Sequence, residues 1–238
     1  MALANKYYPQ ALTDALQIHF GAHLLCAFAH GRCLGDSFDT KRGIRDISLV
    51  IDTVNPETLP NFKTLQKALD KAQARLAFLW TPETISSALD TFPLEFLNFH
   101  FRHEILVGTA QFPWADFQPE LSNLRLQCER ELRGLSIHLQ REVLLAGNNA
   151  KGLQSIFQQT LPHFIPIFCG IQWMLQNGRY PESDAACLEF IDSQWQLGNL
   201  FSRLARSGLA LQELRWLASD YIISIEKIVK TVDRWETP

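Results

Sequence analysis

Short apolar runs alternate with amphipathic stretches through the first half of the chain. Two of these runs, HLLCAFA over residues 23–29 and IRDISLVID over residues 44–52, predict buried strands. In the second run the side chains of Ile47 and Leu49 share one face, because residues two apart on a strand point the same way. The polar residues 34–43, between the two runs, predict either a short helix or a mobile loop that covers a ligand.

Helical patterns lie between the apolar runs. Apolar residues at four-residue spacing predict a helix over residues 9–20, and a second amphipathic pattern predicts one over residues 62–76. Thr81-Pro82 is a typical helix start, with threonine as the N-cap and proline at the first helical position. The runs RLAFLW (75–80) and LEFLNFHF (94–101) predict two further strands. Strands that alternate with helices indicate a mixed or parallel sheet covered by helices.

The pattern changes beyond a segment that contains proline and glycine, residues 108–120, after which no strand is predicted. Apolar residues at steps of three and four, typical of packed helices, recur from there onward. The predicted helices cover residues 121–145, 153–160, 165–176, about 188–204 and about 214–232. Short turns between them indicate an antiparallel bundle, whose large apolar residues could also form a homodimer interface. The predicted fold is therefore an α/β (or α+β) domain with a mixed sheet over residues 1–115, followed by an all-α helical bundle over residues 116–238.

The composition narrows the class of protein. With 238 residues the chain exceeds a typical domain of ~100–150 residues, and its 47% hydrophobic content is enough for a core. A formal charge of −3 argues against a dominant surface for nucleic acid, which leaves only a local patch for such binding. No apolar run approaches the ~20 residues that span a membrane. The five cysteines are scattered without a CxxC pair, which fits reduced thiols in a cytoplasmic protein.

The polar positions with the clearest chemical meaning lie between residues 30 and 52. Gly31 follows the first predicted strand, and Asp46 and Ser48 share the polar face of the second. A glycine turn lets backbone N–H groups approach a phosphate, and an aspartate on the neighbouring strand can hold a cation such as Mg²⁺. His30, beside the glycine, could approach a ligand, but the sequence favours a hydrogen-bonded structural histidine.

This stretch resembles the core of the nucleotidyltransferase superfamily. That superfamily has a Gly-Ser turn after its first strand, an Asp-x-Asp motif on the next strand and a third carboxylate on a later strand. Gly31 matches the glycine and Asp46 the first aspartate. The run over residues 89–101 resembles the third-carboxylate strand of one bacterial branch, with Glu95 in the acidic position. The run over residues 124–139 resembles the helix that opens the C-terminal domain of that branch.

The resemblance implies an enzyme that moves a nucleoside monophosphate from a nucleoside triphosphate to a small-molecule or protein acceptor. Two divalent cations, ~3.5–4 Å apart, can clamp the attacking and leaving oxygens of such a reaction. By the resemblance, Asp46 and Glu95 are the catalytic residues and the ligands of Mg²⁺. Gly31, Arg32 and Ser48 are then the residues that lie against the nucleotide phosphates.

Two departures from the superfamily pattern point to a different function. Arg32 stands where the superfamily has serine, and Ser48 stands where it has the second aspartate. A neutral serine is a poor replacement for a bridging carboxylate. Arg32 either donates to a phosphate or pairs with Asp46 in the place of the metal, and Glu95 either binds a metal or pairs with an arginine such as Arg32 or Arg102. The alternative is a catalytically degenerate relative without a cofactor, which binds a ligand or partner in the same cleft.

Overall fold

The computed structural model describes residues 8–35, 38, 43–54, 63–108, 117–204 and 208–235, with the Arg32 side chain outside this set. The predicted loop over residues 34–43 and the predicted boundary segment 108–120 therefore lie mostly outside the described residues. The chain divides into two compact units, Met1–Asp90 with Glu95–Gln118, and Thr91–Leu94 with Pro119–Pro238. The predicted division after residue 115 stays a prediction.

The described part of the first unit contains a four-stranded sheet in the order β3-β2-β1-β4. Its strands are β1 (Leu24–His30), β2 (Arg45–Ile51), β3 (Ala74–Trp80) and β4 (His103–Gly108). β1 pairs antiparallel with both β2 and β4, whereas β2 pairs parallel with β3. The predicted mixed sheet is therefore confirmed.

The described part of this unit also contains helices, the last of which begins with Pro93 and Leu94 of the second unit. They are α1 (Gln10–Phe20), α2 (Lys63–Lys71), α3 (Pro82–Ala88) and α4 (Pro93–Phe101). α1 and α2 pack their buried leucines against Ala29, Ile47 and Leu49, which form one face of the sheet. α3 begins as predicted, because the Thr81 hydroxyl accepts a hydrogen bond from the Thr84 amide at 3.1 Å.

The predicted strand over residues 94–101 is wrong. These residues form α4, and the strand that follows it, β4, was not predicted. Glu95 consequently lies on a helix. A proline at the first helical position suits a helix because its fixed φ fits and its missing N–H would have no partner there. The apolar positions on both sides of the presumed strand also fit successive turns of a buried helix; they are Leu94, Phe96, Leu97 and Phe99.

The described part of the second unit is helical, as predicted. Its helices are α5 (Leu121–Ala146), α6 (Ala150–Leu175), α7 (Asp184–Gln194), α8 (Leu200–Leu204) and α9 (Leu211–Asp233). The two helices predicted over 153–160 and 165–176 form the single helix α6, which contains Pro162 and Pro166. The predicted helix over 188–204 is divided between α7 and α8. No helix within the described ranges combines the length and apolar character that crossing a bilayer requires.

Candidate functional site

Asp46 lies on β2 between two neighbouring strands that both place polar residues beside it. His30 of β1 is its partner in the antiparallel ladder, and Arg75 of β3 is its partner in the parallel ladder. The Nε–H of Arg75 donates to Oδ1 of Asp46 in an ion pair. This pairing raises the pKa of the Arg75 guanidinium. The Asp46 carboxylate is therefore engaged by a cation of the same sheet.

The sequence did not predict Arg75 as a functional residue. It left open whether Arg32 pairs with Asp46 or donates to a phosphate, and because the Arg32 side chain lies outside the described residues, both roles stay predictions. The signal for Arg75 was the run RLAFLW. Once this run is aligned parallel to β2, its arginine lies opposite Asp46.

Ser48 is fully buried and makes a hydrogen bond within the sheet. Its Oγ lies 2.7 Å from Nε2 of His30, which is 6% exposed. Burial lowers the pKa of His30 to about 4, and Arg75 also lowers it, whereas Asp46 has the opposite effect. The imidazole is therefore neutral at pH 7. The two side chains satisfy each other, which confirms the interpretation of His30 as a structural histidine.

Aromatic side chains cover the His30–Ser48 pair. We refer to them as the aromatic cap; its members are Phe28, Phe78, Trp80, Phe96 and Phe99. The Phe99 ring meets the His30 ring edge to face with centroids 4.6 Å apart, and it also contacts Phe28 and Phe78 at 5.3 and 6.0 Å. These distances fall in the range of favourable aromatic pairs. The cap explains why water does not reach Ser48.

Glu95 lies on α4, the helix that supplies Phe96 and Phe99 to the aromatic cap. It precedes Phe99 by four residues, so the two side chains are neighbours on the helix surface. Since Phe99 contacts His30, α4 lies over the face of the sheet that carries Asp46 and Ser48. Glu95 thus lies on the helix that covers this face, and its place beside Asp46 stays a prediction.

Gly31 lies where the chain leaves β1 and enters a 3-10 turn, Gly31–Leu34. Its φ of 70° falls in the left-handed region, which glycine adopts without steric cost. Cys33 stabilises the turn by donating from Sγ to the backbone carbonyl of His30 at 3.0 Å. The local conformation thus requires a glycine whether or not a phosphate binds to the turn.

The described residues on this face do not fit a pair of divalent cations. Magnesium prefers oxygen ligands in octahedral geometry and retains several waters. The Asp46 carboxylate is engaged by Arg75, and the Ser48 hydroxyl is neutral, dry and bonded to His30. Among the residues that the structure describes, no group of three or more His, Cys, Asp or Glu is arranged to hold a metal.

No model of a known protein family matches this chain, and no curated protein matches it. Several solved structures do match this chain. The crystal structure of spectinomycin adenyltransferase AAD(9) from Enterococcus faecialis with ATP and spectinomycin is 8% identical, with a TM-score of 0.52 over 94% of this chain and 97% of that one. A nucleotidyltransferase-like protein from Exiguobacterium sibiricum 255-15 is 16% identical, with a TM-score of 0.37 over 92% of this chain and 73% of that one. The first match shows that this chain has a nucleotidyltransferase-like fold.

Proposed function

We propose that the protein is a catalytically degenerate nucleotidyltransferase-fold protein that acts as a ligand- or partner-binding module. The observation that carries the proposal is the environment of Ser48. This residue stands where the superfamily has its second aspartate, and it is fully buried and bonded to His30 beneath the aromatic cap. A cation could contact Ser48 only if the cap opened.

The charges on this face also oppose two-metal chemistry. Asp46 and Glu95 supply two negative charges, and Arg75 returns one positive charge directly to Asp46. Two carboxylates, one of them paired with Arg75, are a weak counterpart for two divalent ions. The superfamily pattern, by comparison, supplies three carboxylates.

The ion pair and the buried pair oppose metal binding to different degrees. The Arg75 side chain is 66% exposed, and exposed ion pairs contribute ~1 kcal/mol or less, so a ligand could displace it. Opening the aromatic cap would instead expose rings whose burial contributes ~1.5–3 kcal/mol each. The closed face around Ser48, rather than Arg75, is therefore the main barrier.

A second candidate function is nucleotidyl transfer itself. The match to AAD(9) over nearly the whole length of both chains supports it, as does the presence of Asp46 at the first aspartate position. In this case Asp46 and Glu95 would hold Mg²⁺ that arrives with a nucleoside triphosphate. Gly31, Arg32 and Ser48 would lie near the phosphates, and a small molecule or protein would be the acceptor. A cytoplasmic location belongs to either proposal, because scattered cysteines suit a reducing compartment.

Isothermal titration calorimetry with Mg²⁺ and each of the four common nucleoside triphosphates separates the two candidates. The degenerate protein should give no heat that depends on both Mg²⁺ and Asp46. The test compares the wild type with Asp46→Ala. Asp52→Ala is a matched control, because Asp52 is an exposed carboxylate just beyond the end of β2 that hydrogen-bonds to His23. Magnesium-dependent binding that is lost in Asp46→Ala and kept in Asp52→Ala would overturn the first proposal and support the second.

A further inference from the structure

The second unit contains a pocket that takes no part in the site described above. Its volume is about 520 Å³, within the range of ~300–1,000 Å³ that is common for small-molecule sites. Ile171 and Leu175 of α6 and Val232 of α9 give it an apolar wall. We refer to this cavity as the bundle pocket.

Three cations line the bundle pocket. Lys227, Lys230 and Arg234 follow one another at steps of three and four, so they lie on one face of α9 and its C-terminal extension. The Lys227 ammonium donates to the backbone carbonyl of Trp195 at 2.7 Å, which holds it at the pocket wall. Cations near a helix C-terminus also favour the helix dipole. The helix dipole accounts for cations at this end of α9, but it does not account for the pocket beside them.

Among the described residues, those that line the bundle pocket include no acid. Two nearby acids of α9 are directed to other partners. Glu226 accepts a hydrogen bond from Gln140 at 3.1 Å, and Asp233 pairs with Arg133 at 3.1 Å. The positive charge of the pocket is therefore not offset by its own lining.

Two tryptophans complete the bundle pocket. Trp195 is 5% exposed, and its Nε1–H donates to the Thr231 hydroxyl at 3.1 Å. Thr231 in turn donates to the Lys227 carbonyl at 2.9 Å, so the indole ring is fixed before any ligand arrives. Trp235 lines the pocket from beyond the end of α9. Indole surfaces bind planar aromatic groups through offset or edge-to-face contacts.

We propose that the bundle pocket binds a small aromatic molecule that carries an anionic group. The tryptophans and the apolar wall contact the ring, and Lys230 and Arg234 pair with the anion. Arginine and lysine both bind phosphate and carboxylate oxygens through charge-assisted hydrogen bonds. This inference does not depend on the function proposed for the sheet, because all the residues that carry it belong to the bundle.

Calorimetric titration with 1-naphthyl phosphate tests the proposal, with neutral 1-naphthol and inorganic phosphate as comparison probes. We expect one site per chain and about tenfold tighter binding of naphthyl phosphate than of either comparison probe, since only this probe uses both halves of the pocket. The variant Lys230→Gln/Arg234→Gln should weaken it about tenfold. Trp235→Leu should weaken naphthyl phosphate and leave inorganic phosphate unchanged.

The control is Arg215→Gln, which removes an exposed cation from the first half of α9, away from the residues that line the pocket. It should bind naphthyl phosphate as the wild type does. Circular dichroism of each variant confirms folding. Absence of binding at millimolar naphthyl phosphate, or equal affinity in the wild type and the double variant, would overturn the proposal.

Discussion

Acidification from pH 7 to pH 5 should destabilise the wild-type protein more than a variant in which His30 and Ser48 are both apolar. Burial lowers the pKa of His30 from 6.5 to about 4 in the folded protein. Between these two values the unfolded chain takes up a proton that the folded protein does not. The contribution of His30 to stability is thus fully present above pH 6.5 and is lost as the pH falls towards 4. At 1.36 kcal/mol per pKa unit, the loss is about 2 kcal/mol by pH 5 and about 3 kcal/mol by pH 4.

Comparison with the variant His30→Phe/Ser48→Ala separates the pH-dependent contribution of His30 to stability from that of the carboxylates, which both proteins share. Phenylalanine keeps a ring against Phe99, and alanine leaves no hydroxyl without a partner. Replacing both partners of a buried hydrogen bond by apolar groups of similar shape is nearly neutral, whereas each single change should cost ~1–3 kcal/mol at pH 7. His138→Phe, at an exposed position of α5, is the matched control for the loss of a histidine.

Urea unfolding followed by tryptophan fluorescence at pH 7, 6 and 5 measures the effect. The difference in free energy of unfolding between the wild type and the double variant should change by about 2 kcal/mol between pH 7 and pH 5. The same pH dependence in both proteins would show that His30 is solvated in the folded protein. The argument that the aromatic cap closes this face of the sheet would then fail.

Two matched pairs of glycine substitutions and one substitution of Ser48 test the packing. In urea unfolding, Gly108→Ala should lower the free energy of unfolding by more than ~3 kcal/mol, because its Cβ would lie 2.2 Å from a backbone carbonyl oxygen. The Cβ of Gly31→Ala would meet nothing within 4 Å, so this variant should lose only ~1–2 kcal/mol for its positive φ. Gly170→Ala should destabilise the protein by ~1–3 kcal/mol, since its Cβ would lie 2.6 Å from a buried leucine methyl. The Cβ of Gly134→Ala would lie in open space, so the helix propensity of alanine should raise the melting temperature by adding ~0.5–1 kcal/mol of stability. Equal effects within either pair would contradict the steric argument. Ser48→Asp should lower stability without a gain in calorimetric Mg²⁺ affinity, because its carboxylate would be buried; a gain would show an open site.

The strand β2, which carries both Asp46 and Ser48, could be predicted because apolar residues alternate with these two polar ones. The structure buries those apolar residues fully. The position of Gly31 at the end of β1 followed from the same boundary. Arg75 could not be predicted as the ion-pair partner of Asp46, because that pairing depends on the register between β2 and β3.

The position of Glu95 illustrates what a pattern alone cannot decide. The segment around it is apolar on both faces of a presumed strand, and an apolar run of this length fits a buried helix equally well. The ring of Phe96 contacts Trp80, and the ring of Phe99 contacts His30. That tertiary packing selects the helix. In the same way, Pro162 and Pro166 predicted a break between two helices. The structure instead has the single helix α6 across both prolines, with most of its neighbouring residues buried.

The exclusion of water around Ser48 should restrict which residues homologous chains carry at this position. A site without water accepts small neutral side chains such as alanine, cysteine or serine, and it rejects an ionised one that lacks a charged neighbour. An aspartate at position 48 should therefore occur together with a smaller residue in place of Phe78 or Phe99. Covariation among these three positions, more than acidity at position 48 alone, should distinguish homologues with an accessible sheet face from those that resemble this chain.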